Sequence, residues 1–411
     1  MISPDTARLV SELETLAAFS AAPAPDVTRV VFSEQDTRAR IWLKGLYTEA
    51  SLKIREDAVG NTFARWQGSD PALPAIGTGS HTDAIPHSGR YDGTVGVLGG
   101  LEAIRALQRA GFQPRHSIEL LMFTSEEPTR FGIGCLGSRL LSGSLDPTTA
   151  AALRDSAGLS LDEVRGGAGF HGKLDGVALK VGYYSAFVEL HIEQGPFLER
   201  NNVPIGIVTA IAAPASLTLT IEGEGGHAGA VLMPDRHDAF LAAAEIALAL
   251  EAAARATGAI DTVATTGVCD VFPGAVNSVP SRVRLAVDVR DIDAARRDGV
   301  LARLELSAKE VSARRGVTVK LETINRDAPA ACDPVVIALL MAACEKHGLA
   351  YATMVSRAYH DSLFISRTCP TSMIFIPCRA GFSHRPDEYS TPEAIGQGTL
   401  VLAETLASLA A

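Results

Sequence analysis

Histidine and carboxylate side chains stand at or near the ends of several short apolar runs in this chain. The residues placed in this way are His81, Asp83, Asp92, Glu126, Glu127, His191 and His384. Because the carboxyl ends of strands in an open α/β sheet converge on one crevice, we expect these side chains to meet there. Carboxylates and imidazoles without a thiolate suit divalent ions such as Zn²⁺ or Mn²⁺ and disfavour an iron–sulfur site. The pattern therefore predicts a site for divalent metal ions.

One carboxylate of this set could bind two ions at once. Asp92 is the best candidate, because it is a lone carboxylate flanked by the ligand-rich segments. A bridging carboxylate holds two ions about 4 Å apart, and such a pair clamps a hydrolytic water. Each residue alone also has an ordinary interpretation, since Asp92 could cap the following helix and Glu126 with Glu127 could form a solvated loop. Their joint occurrence beside apolar runs favours the metal site.

The elements around these residues predict an α/β catalytic domain. Residues 75–80 and 117–124 have the pattern of buried strands, and residues 94–110 between them have that of a helix. Strand, helix and strand at this spacing indicate a mixed, mostly parallel sheet with helices on both faces. A helix at residues 334–347 and a strand at residues 372–376 are predicted to belong to the same domain.

The middle of the chain follows a different order of elements. The predicted elements are a strand at 217–221, a helix at 238–257, strands at 261–271 and 283–289, a helix at 294–314 and a strand at 317–323. This β-α-β-β-α-β order is typical of a ferredoxin-like α+β sandwich. We therefore predict a catalytic domain formed by residues 1–212 and 328–411, with residues 213–327 as an inserted domain.

Composition limits the classes of function. The 411 residues are 47% hydrophobic, which suits two domains rather than one core. The net charge of −10 argues against a nucleic-acid partner, because phosphate binding needs a basic face. The six cysteines form no Cys-x-x-Cys pair and are expected to be free thiols in a reducing compartment. With no signal-peptide pattern and no apolar run of about 20 residues, we expect a soluble cytoplasmic protein without a membrane partner.

Six ordered motifs make the chain resemble a known family. They are Gly79-Ser-His-Thr-Asp83, Gly89-Arg-Tyr-Asp-Gly93, Ser125-Glu-Glu-Pro-Thr-Arg-Phe-Gly132, His191-Ile-Glu-Gln-Gly195, Gly226-His-Ala-Gly229 and Ser383-His384. The chain resembles the metal-dependent aminoacylase and carboxypeptidase superfamily, within its branch of N-carbamoyl-amino-acid, allantoate and ureidoglycolate amidohydrolases. The resemblance covers nearly the whole chain. It implies that the inserted domain is a lid and dimerisation domain and that the protein is a homodimer.

The resemblance also implies roles in the metal centre. One ion would be held by His81, Asp92 and His191, and a second ion by Asp92, Glu127 and His384. Mn²⁺ is the expected ion, with Zn²⁺, Co²⁺ or Ni²⁺ as alternatives. Glu126 would be the general base that takes a proton from the attacking water and passes it to the leaving nitrogen. Asp83 would accept the second ring N–H of His81 and so fix its tautomer.

Further residues would contact the substrate by the same resemblance. They are Gln194, His227, Asn277, Arg290, Tyr359 and His360. His227 would come from the partner subunit and, with Asn277, would donate to the developing oxyanion. Arg290 would bind the substrate carboxylate in a two-pronged contact, although it could instead form a surface ion pair with Asp288 or Asp291. His360 could equally be structural.

The implied activity is the hydrolysis of a ureido acid, with ureidoglycolate first. Tyr359 stands where carbamoylases and allantoate enzymes usually carry a glycine, which favours ureidoglycolate over allantoate or an N-carbamoyl-L-amino acid. An aminopeptidase or N-acyl amino acid hydrolase would share the same metal core. A binding protein without activity is disfavoured, because the complete set of metal ligands and the base are present.

Overall fold

The computed structural model describes residues 2–411 and divides into two compact units. The first unit comprises the residues up to Thr209 together with Cys332–Ser356 and His360–Ala411. The second unit comprises Ala210–Ala331 and Arg357–Tyr359. Among residues 2–411, no helix combines the length and the apolar character that crossing a bilayer requires.

The first unit contains most of the elements. Its helices are α1 (Thr6–Ala17), α2 (Glu34–Glu49), α3 (Thr94–Arg109), α4 (Leu136–Leu141), α5 (Pro147–Ala152), α6 (Leu161–Gly167), α7 (Phe197–Arg200), α10 (Pro334–Lys346), α11 (Asp361–Ile365) and α12 (Pro392–Ala410). Its strands are β1 (Val27–Arg29), β2 (Lys53–Glu56), β3 (Thr62–Trp66), β4 (Ala75–His81), β5 (Ala84–Ser88), β6 (Ile118–Phe123), β7 (Tyr184–Ile192), β16 (Tyr351–Ser356) and β17 (Thr371–Ile376). Strand β8 (Ile205–Ile211) begins in this unit and ends in the second.

A mixed sheet forms the centre of the first unit. Its strand order is β8-β17-β7-β4-β6-β3-β2, and β16 also pairs with β8. The neighbours β17, β7, β4 and β6 are parallel to one another, whereas β8, β3 and β2 join in antiparallel pairs. Parallel strands place their carboxyl ends at one edge, and this edge carries the candidate site. The predicted α/β class with a mixed, mostly parallel sheet is confirmed.

Both faces of this sheet are covered by helices. On β6, Leu120 and Met122 belong to one apolar cluster, which includes side chains of α1, α2, α3, α10 and α12. Leu121 and Phe123 point to the opposite side and belong to a second cluster with side chains of α4 and α6. This alternation follows from the two-residue period of a strand. Because the central strands are buried on both faces, they contain long apolar runs.

The second unit is an antiparallel sheet with helices. It contains β9 (Ala213–Glu222), β10 (Gly226–His227), α8 (Ala239–Arg255), β11 (Val263–Phe272), β12 (Ser278–Val279), β13 (Arg282–Asp291), α9 (Ala294–Arg315), β14 (Thr318–Arg326) and β15 (Ala330–Ala331). The four long strands have the order β11-β13-β9-β14, and β10 pairs with β12. Alternate residues of β9, such as Leu217 and Leu219, share an apolar cluster with α8 and α9. The role of this unit as lid and dimerisation domain stays a prediction.

Candidate metal centre

Three parallel strands carry parts of the candidate centre. Strand β4 ends at His81, β7 contains His191 next to its last residue, and β6 ends three residues before Glu126. Both histidines are almost completely buried, at 2% and 0% exposure. Ser125, which precedes Glu126, has a left-handed backbone with φ 57°. A non-glycine residue with this φ is unusual and marks a backbone held by its surroundings. Here the turn directs Glu126 and Glu127 to the sheet edge.

His81, His191 and Asp92 form one cluster of donor atoms. Oδ1 of Asp92 lies 3.5 Å from Nε2 of His81 and 3.1 Å from Nε2 of His191. The Nδ1 atoms face backbone carbonyls, at 3.0 Å from Asp83 O and 2.9 Å from Ile192 O. An Nδ1 that donates to a carbonyl leaves the Nε2 lone pair of a neutral imidazole directed inward. Both rings are therefore oriented to offer Nε2 to a cation.

Asp92, Glu127 and His384 form a second cluster. Nε2 of His384 lies 3.3 Å from Oδ2 of Asp92 and 3.2 Å from Oε1 of Glu127. In each of the two clusters, the donor atoms all lie within 4.8 Å of one another. The two oxygens of Asp92 thus face different clusters. This is the arrangement that a carboxylate shared by two cations requires.

The donor set fits divalent cations chemically. Nitrogen and carboxylate oxygen donors suit Zn²⁺ and Mn²⁺, and no thiolate is present in either cluster. Burial by itself raises the pKa of Asp92, but the close contacts with His191, His384 and His81 outweigh it and hold this pKa well below its usual range. Hydrogen bonds with Asp92 and Glu127 raise the pKa of His384 to about 11. The carboxylates therefore supply a strongly cation-attracting field.

Gly93 makes the close approach of the ligands possible. A Cβ atom at this position would lie 2.4 Å from Nε2 of His81, so only glycine fits. Its φ of 66° also favours glycine. The backbone N–H of Gly93 lies 3.1 Å from Nε2 of His191. The sequence pattern Asp-Gly before helix α3 is thus required by the packing of the centre.

Glu126 lies directly beside the histidine cluster. Its Oε2 is 3.7 Å from Nε2 of His81, and its Oε1 accepts a contact from Sγ of Cys135 at 3.4 Å. Burial is the main cause that raises the pKa of Glu126 well above its usual range. A raised pKa suits a carboxylate that must both take up and release a proton near neutral pH. Cys135 is completely buried.

The contact predicted for Asp83 differs in the structure. Its backbone oxygen, not its carboxylate, is the partner of His81 Nδ1, and the carboxylate Oδ1 is 3.8 Å from that nitrogen. The carboxylate instead accepts the backbone N–H groups of Glu126, at 3.2 Å, and Glu127, at 3.0 Å. The physical reason is that these two buried amides need acceptors. Asp83 therefore orients the glutamate pair as well as the histidine.

Gln194 and His360 occupy places that the sequence pattern did not indicate. Nε2 of Gln194 donates to Oδ2 of Asp92 at 2.7 Å, whereas its Oε1 is a buried acceptor without a hydrogen-bond partner within residues 2–411. His360 is 1% exposed, and its ring centroid lies 4.5 Å from that of His191. Its Nε2 is 3.0 Å from Oγ of Ser356. The ring is thus buried behind the candidate ligand His191, and a contact of His360 with the substrate stays a prediction.

The second unit brings the remaining predicted residues into two groups. His227 on β10 is opposite Ser278 on β12, and the N–H of Ala228 donates to the carbonyl of Asn277 at 2.8 Å. Nδ1 of His227 accepts the N–H of Gly229 at 3.1 Å, which leaves Nε2 as the donor of a neutral ring. Both His227 and Asn277 are exposed.

Arg290 forms the second group with Tyr359 and Asp288. Its Nε donates to Oδ1 of Asp288 at 2.6 Å, so the predicted ion pair is present. Its guanidinium carbon lies 5.4 Å from the centre of the Tyr359 ring. Because Nε is used by Asp288 and the plane lies over an aromatic ring, the guanidinium has a defined orientation. A role of Arg290 toward a substrate carboxylate stays a prediction.

Two residues of the centre had no role assigned from the sequence, although Ser383 belongs to one of the motifs. Oγ of Ser383 lies 2.6 Å from Oδ2 of Asp92. Glu388 accepts the backbone N–H groups of Tyr91 and Asp92, at 2.7 Å and 3.1 Å. Burial, reinforced by the charge of Asp92, raises the pKa of Glu388 to about 7. Glu388 lies in a polar stretch after His384, where a glutamate is normally expected in solvent, so no pattern indicated its burial.

The sheet, the shared aspartate and the adjoining glutamates define the class of protein, a hydrolase with a candidate site for divalent cations. The chain belongs to the Peptidase family M20/M25/M40, whose model matches residues 77–408. This confirms the predicted family, and the predicted hydrolase acting on C–N bonds is confirmed as well.

Individual relatives are similar over nearly the whole chain. The ureidoglycolate hydrolase of Oryza sativa subsp. japonica is 53% identical over 412 residues, covering 98% of this chain and 85% of that enzyme. The crystal structure of AtUAH in complex with glyoxylate is 51% identical and superposes with a TM-score of 0.92, covering 100% of this chain and 98% of that one. The N-carbamoyl-L-amino acid amidohydrolase of Geobacillus stearothermophilus is 38% identical and covers 98% of both chains.

Proposed function

We propose that the protein hydrolyses (S)-ureidoglycolate. Water adds to the carbamoyl carbon, its C–N bonds break, and carbon dioxide, ammonia and an amino-hydroxy acid form. The amino-hydroxy acid then loses its amine as a second ammonia and leaves glyoxylate. The observation that carries this proposal is a complete set of cation donors and a buried glutamate in a chain 53% identical to a ureidoglycolate hydrolase.

Two divalent cations would be the cofactors, and Mn²⁺ is the expected species at both positions. His81, Asp92 and His191 would hold one, and Asp92, Glu127 and His384 the other. When bound, such ions polarise the carbonyl group and lower the pKa of water. Zn²⁺, Co²⁺ and Ni²⁺ are alternatives, because the same donor types accept them. Support comes from the two donor clusters that share Asp92.

Glu126 would act as the general base. It takes the proton of the attacking water on a carboxylate oxygen and passes it to the leaving nitrogen. Its buried position 3.7 Å from Nε2 of His81 supports this role, because a base must lie within reach of the reacting atoms. Its neighbour Glu127 faces His384 instead, so the two glutamates can divide proton transfer and cation binding.

Side chains outside the two donor clusters would hold the substrate. We assign the substrate carboxylate to Arg290, whose guanidinium is oriented by Asp288 and Tyr359. Oε1 of Gln194 is a free buried acceptor that suits an N–H of the ureido group. His227, from the partner subunit of a homodimer, and Asn277 would donate to the oxyanion. A cytoplasmic location completes the proposal and stays a prediction.

An N-carbamoyl-L-amino acid is the second candidate substrate. The observation that favours it is the 38% identity to the Geobacillus stearothermophilus enzyme over 98% of this chain. Allantoate shares the same ureido chemistry. Tyr359, which stacks on Arg290, would narrow the space beside the carboxylate and so favours the smaller ureidoglycolate.

The experiment is ammonia release from a panel of substrates. The protein is freed of metal with a chelator, reloaded with Mn²⁺ and given ureidoglycolate, allantoate, an N-carbamoyl-L-amino acid and an acetyl-amino acid. We expect ureidoglycolate to have the highest kcat/KM and the chelated protein to be inactive. Faster turnover of the N-carbamoyl-L-amino acid would replace the proposal with the second candidate.

A further inference from the structure

The loop that carries Asp92 is held by a residue far away in the sequence. Residues 89–93 connect β5 to α3, and the N-cap position of α3, Gly93, has no side chain to cap the helix. Oε1 of Glu388 accepts the N–H groups of Tyr91 and Asp92, at 2.7 Å and 3.1 Å. The Glu388 side chain therefore replaces the local acceptors that a loop of this kind normally supplies.

The hydroxyl of Ser383 lies between the other oxygen of Glu388 and the Asp92 carboxylate, and its single proton can be donated to one of these two acceptors at a time. Oε2 of Glu388 lies 3.0 Å from Oγ of Ser383, and this Oγ lies 2.6 Å from Oδ2 of Asp92. Nε2 of Gln194 donates to the same Oδ2 at 2.7 Å. Two polar groups thus hold Oδ2 on the side of His384, while Oδ1 faces the two buried histidines.

The Glu388 side chain packs directly against Gly89, where there is no room for a Cβ atom. A Cβ atom at position 89 would lie 2.3 Å from Cδ and 2.4 Å from Cβ and Oε1 of Glu388. Real Cβ atoms do not approach so closely, so any side chain at position 89 would displace Glu388. Glu388 is 3% exposed and uses both oxygens, as a buried carboxylate must.

We infer that Glu388 is a positioning residue of the cation centre. Through the amides of Tyr91 and Asp92 and through Ser383, it sets the orientation in which Asp92 presents one oxygen to each donor cluster. Glu388 does not touch the reacting atoms. Outer contacts of this kind commonly change cation affinity or activity about 10- to 100-fold when they are removed. Only the kinetic experiment below rests on the proposed function, whereas the Mn²⁺ titration does not.

The test compares Glu388→Ala and Gly89→Ala with the control Glu393→Ala, because alanine at position 388 removes the acceptor of both amides, whereas glutamine would keep it. Glu393 is exposed at the start of α12 and contacts Gln397 rather than the centre. Calorimetric titration of the metal-free proteins with Mn²⁺ should show affinity lowered at least about 10-fold in both test variants and unchanged in the control. Thermal unfolding of the metal-free proteins shows whether each variant is folded.

A kinetic arm separates positioning from general damage. At saturating Mn²⁺, we expect Glu388→Ala to lower kcat for ureidoglycolate while KM stays within about twofold, because a misplaced Asp92 affects the chemical step rather than substrate binding. Mn²⁺ affinity equal to that of the unchanged protein in the folded Glu388→Ala variant would overturn the inference. If the unchanged protein does not hydrolyse ureidoglycolate, the proposed function fails, while the Mn²⁺ titration still decides the role of Glu388.

Discussion

Nε of Arg29 donates a hydrogen bond to the backbone oxygen of Thr82 at 2.6 Å. Thr82 separates the candidate ligand His81 from Asp83, so this contact supports the loop on which the histidine cluster depends. Nη1 of the same arginine donates to the carbonyls of Leu16 and Phe19, at the end of α1 and just beyond it. Arg29 therefore joins the first helix of the chain to the ligand loop.

Replacing Arg29 with methionine should destabilise the protein. Three carbonyls would lose their donor in a place where Arg29 is 1% exposed. An unsatisfied buried group costs about 1–3 kcal/mol, so the free energy of unfolding should fall by at least about 2 kcal/mol. Urea unfolding measures this change. The control is Arg38→Met, whose side chain is 57% exposed, and a similar loss in both variants would contradict the argument.

A second buried arginine, Arg40, forms an ion pair whose loss should destabilise the protein. Nε of Arg40 lies 3.0 Å from Oδ2 of Asp36, and both side chains are at most 3% exposed. Arg40→Met leaves the Asp36 carboxylate buried and unpaired, which should cost about 3–5 kcal/mol of stability. The double variant Asp36→Asn with Arg40→Met should lose less than the sum of the two single variants. Strict additivity would show that the pair is not coupled.

Replacing Glu126 and replacing Glu127 should impair different properties of the protein. Glu126→Gln should lower kcat about 100- to 10,000-fold, because it removes the proton acceptor and leaves both donor clusters intact. Glu127→Gln should lower Mn²⁺ affinity, because Oε1 of Glu127 belongs to the cluster of His384. Stopped assays of ammonia release and calorimetric Mn²⁺ titration measure the two effects. Full activity of Glu126→Gln would remove this residue from its proposed role.

The proposed homodimer predicts complementation between inactive variants. His227→Ala and Glu126→Gln should each be inactive alone. In a mixed dimer, the subunit with His227→Ala keeps Glu126 and would receive His227 from its partner, so one of the two centres is complete. After the two proteins are unfolded together and refolded, we expect part of the activity to return. No recovery, with sedimentation showing dimers, would place His227 in the same subunit as the centre it serves.

Acid should weaken the contact between α10 and α12. Glu404 accepts hydrogen bonds from Lys346 at 2.7 Å and from His347 at 2.8 Å. Burial by itself would raise the pKa of Glu404, but these hydrogen bonds outweigh it and lower the pKa from its usual value of 4.5. The stability from Glu404 is therefore present above pH 4.5 and is lost as the pH falls through the lowered pKa.

Glu404→Gln should make stability less dependent on pH in this acid range. Urea unfolding from pH 6 down to pH 3 measures the dependence, with Glu393→Gln as an exposed control. An unchanged dependence of stability on pH in the Glu404→Gln variant would show that Lys346 and His347 do not favour the charged form of Glu404.

The ligands themselves were predictable because their residue types carry the signal. Histidines and carboxylates beside buried apolar runs indicate a polar edge of a parallel sheet, and the structure brings His81, Asp92, Glu127, His191 and His384 together there. The catalytic sheet was predictable for a similar reason, since strands buried on both faces must be apolar throughout. These features depend on local sequence, so the residue types and the spacing of apolar residues are enough to predict them.

The supporting contacts were not predictable, because they join distant segments. Glu388 and Tyr91 are separated by 297 positions, and nothing in a polar stretch after His384 indicates an acceptor for buried amides. The left-handed backbone at Ser125, with φ 57°, and at His384, with φ 58°, was not predictable either. Glycine is the residue type that indicates such a conformation in a sequence, and neither position is glycine. For His360, the resemblance left a substrate contact and a structural role open, and its packing against His191 is a tertiary property that no local pattern indicates.

His384 follows the second unit in the sequence, whereas the other four candidate ligands come before that unit. During synthesis on the ribosome, the chain passes through Ala210–Ala331 before the segment with His384 emerges. A nascent polypeptide that already contains His81, Asp92, Glu127 and His191 has only the first donor cluster. Hydrolysis that needs both clusters is therefore confined to copies whose translation has passed His384, and partly made chains cannot consume the substrate.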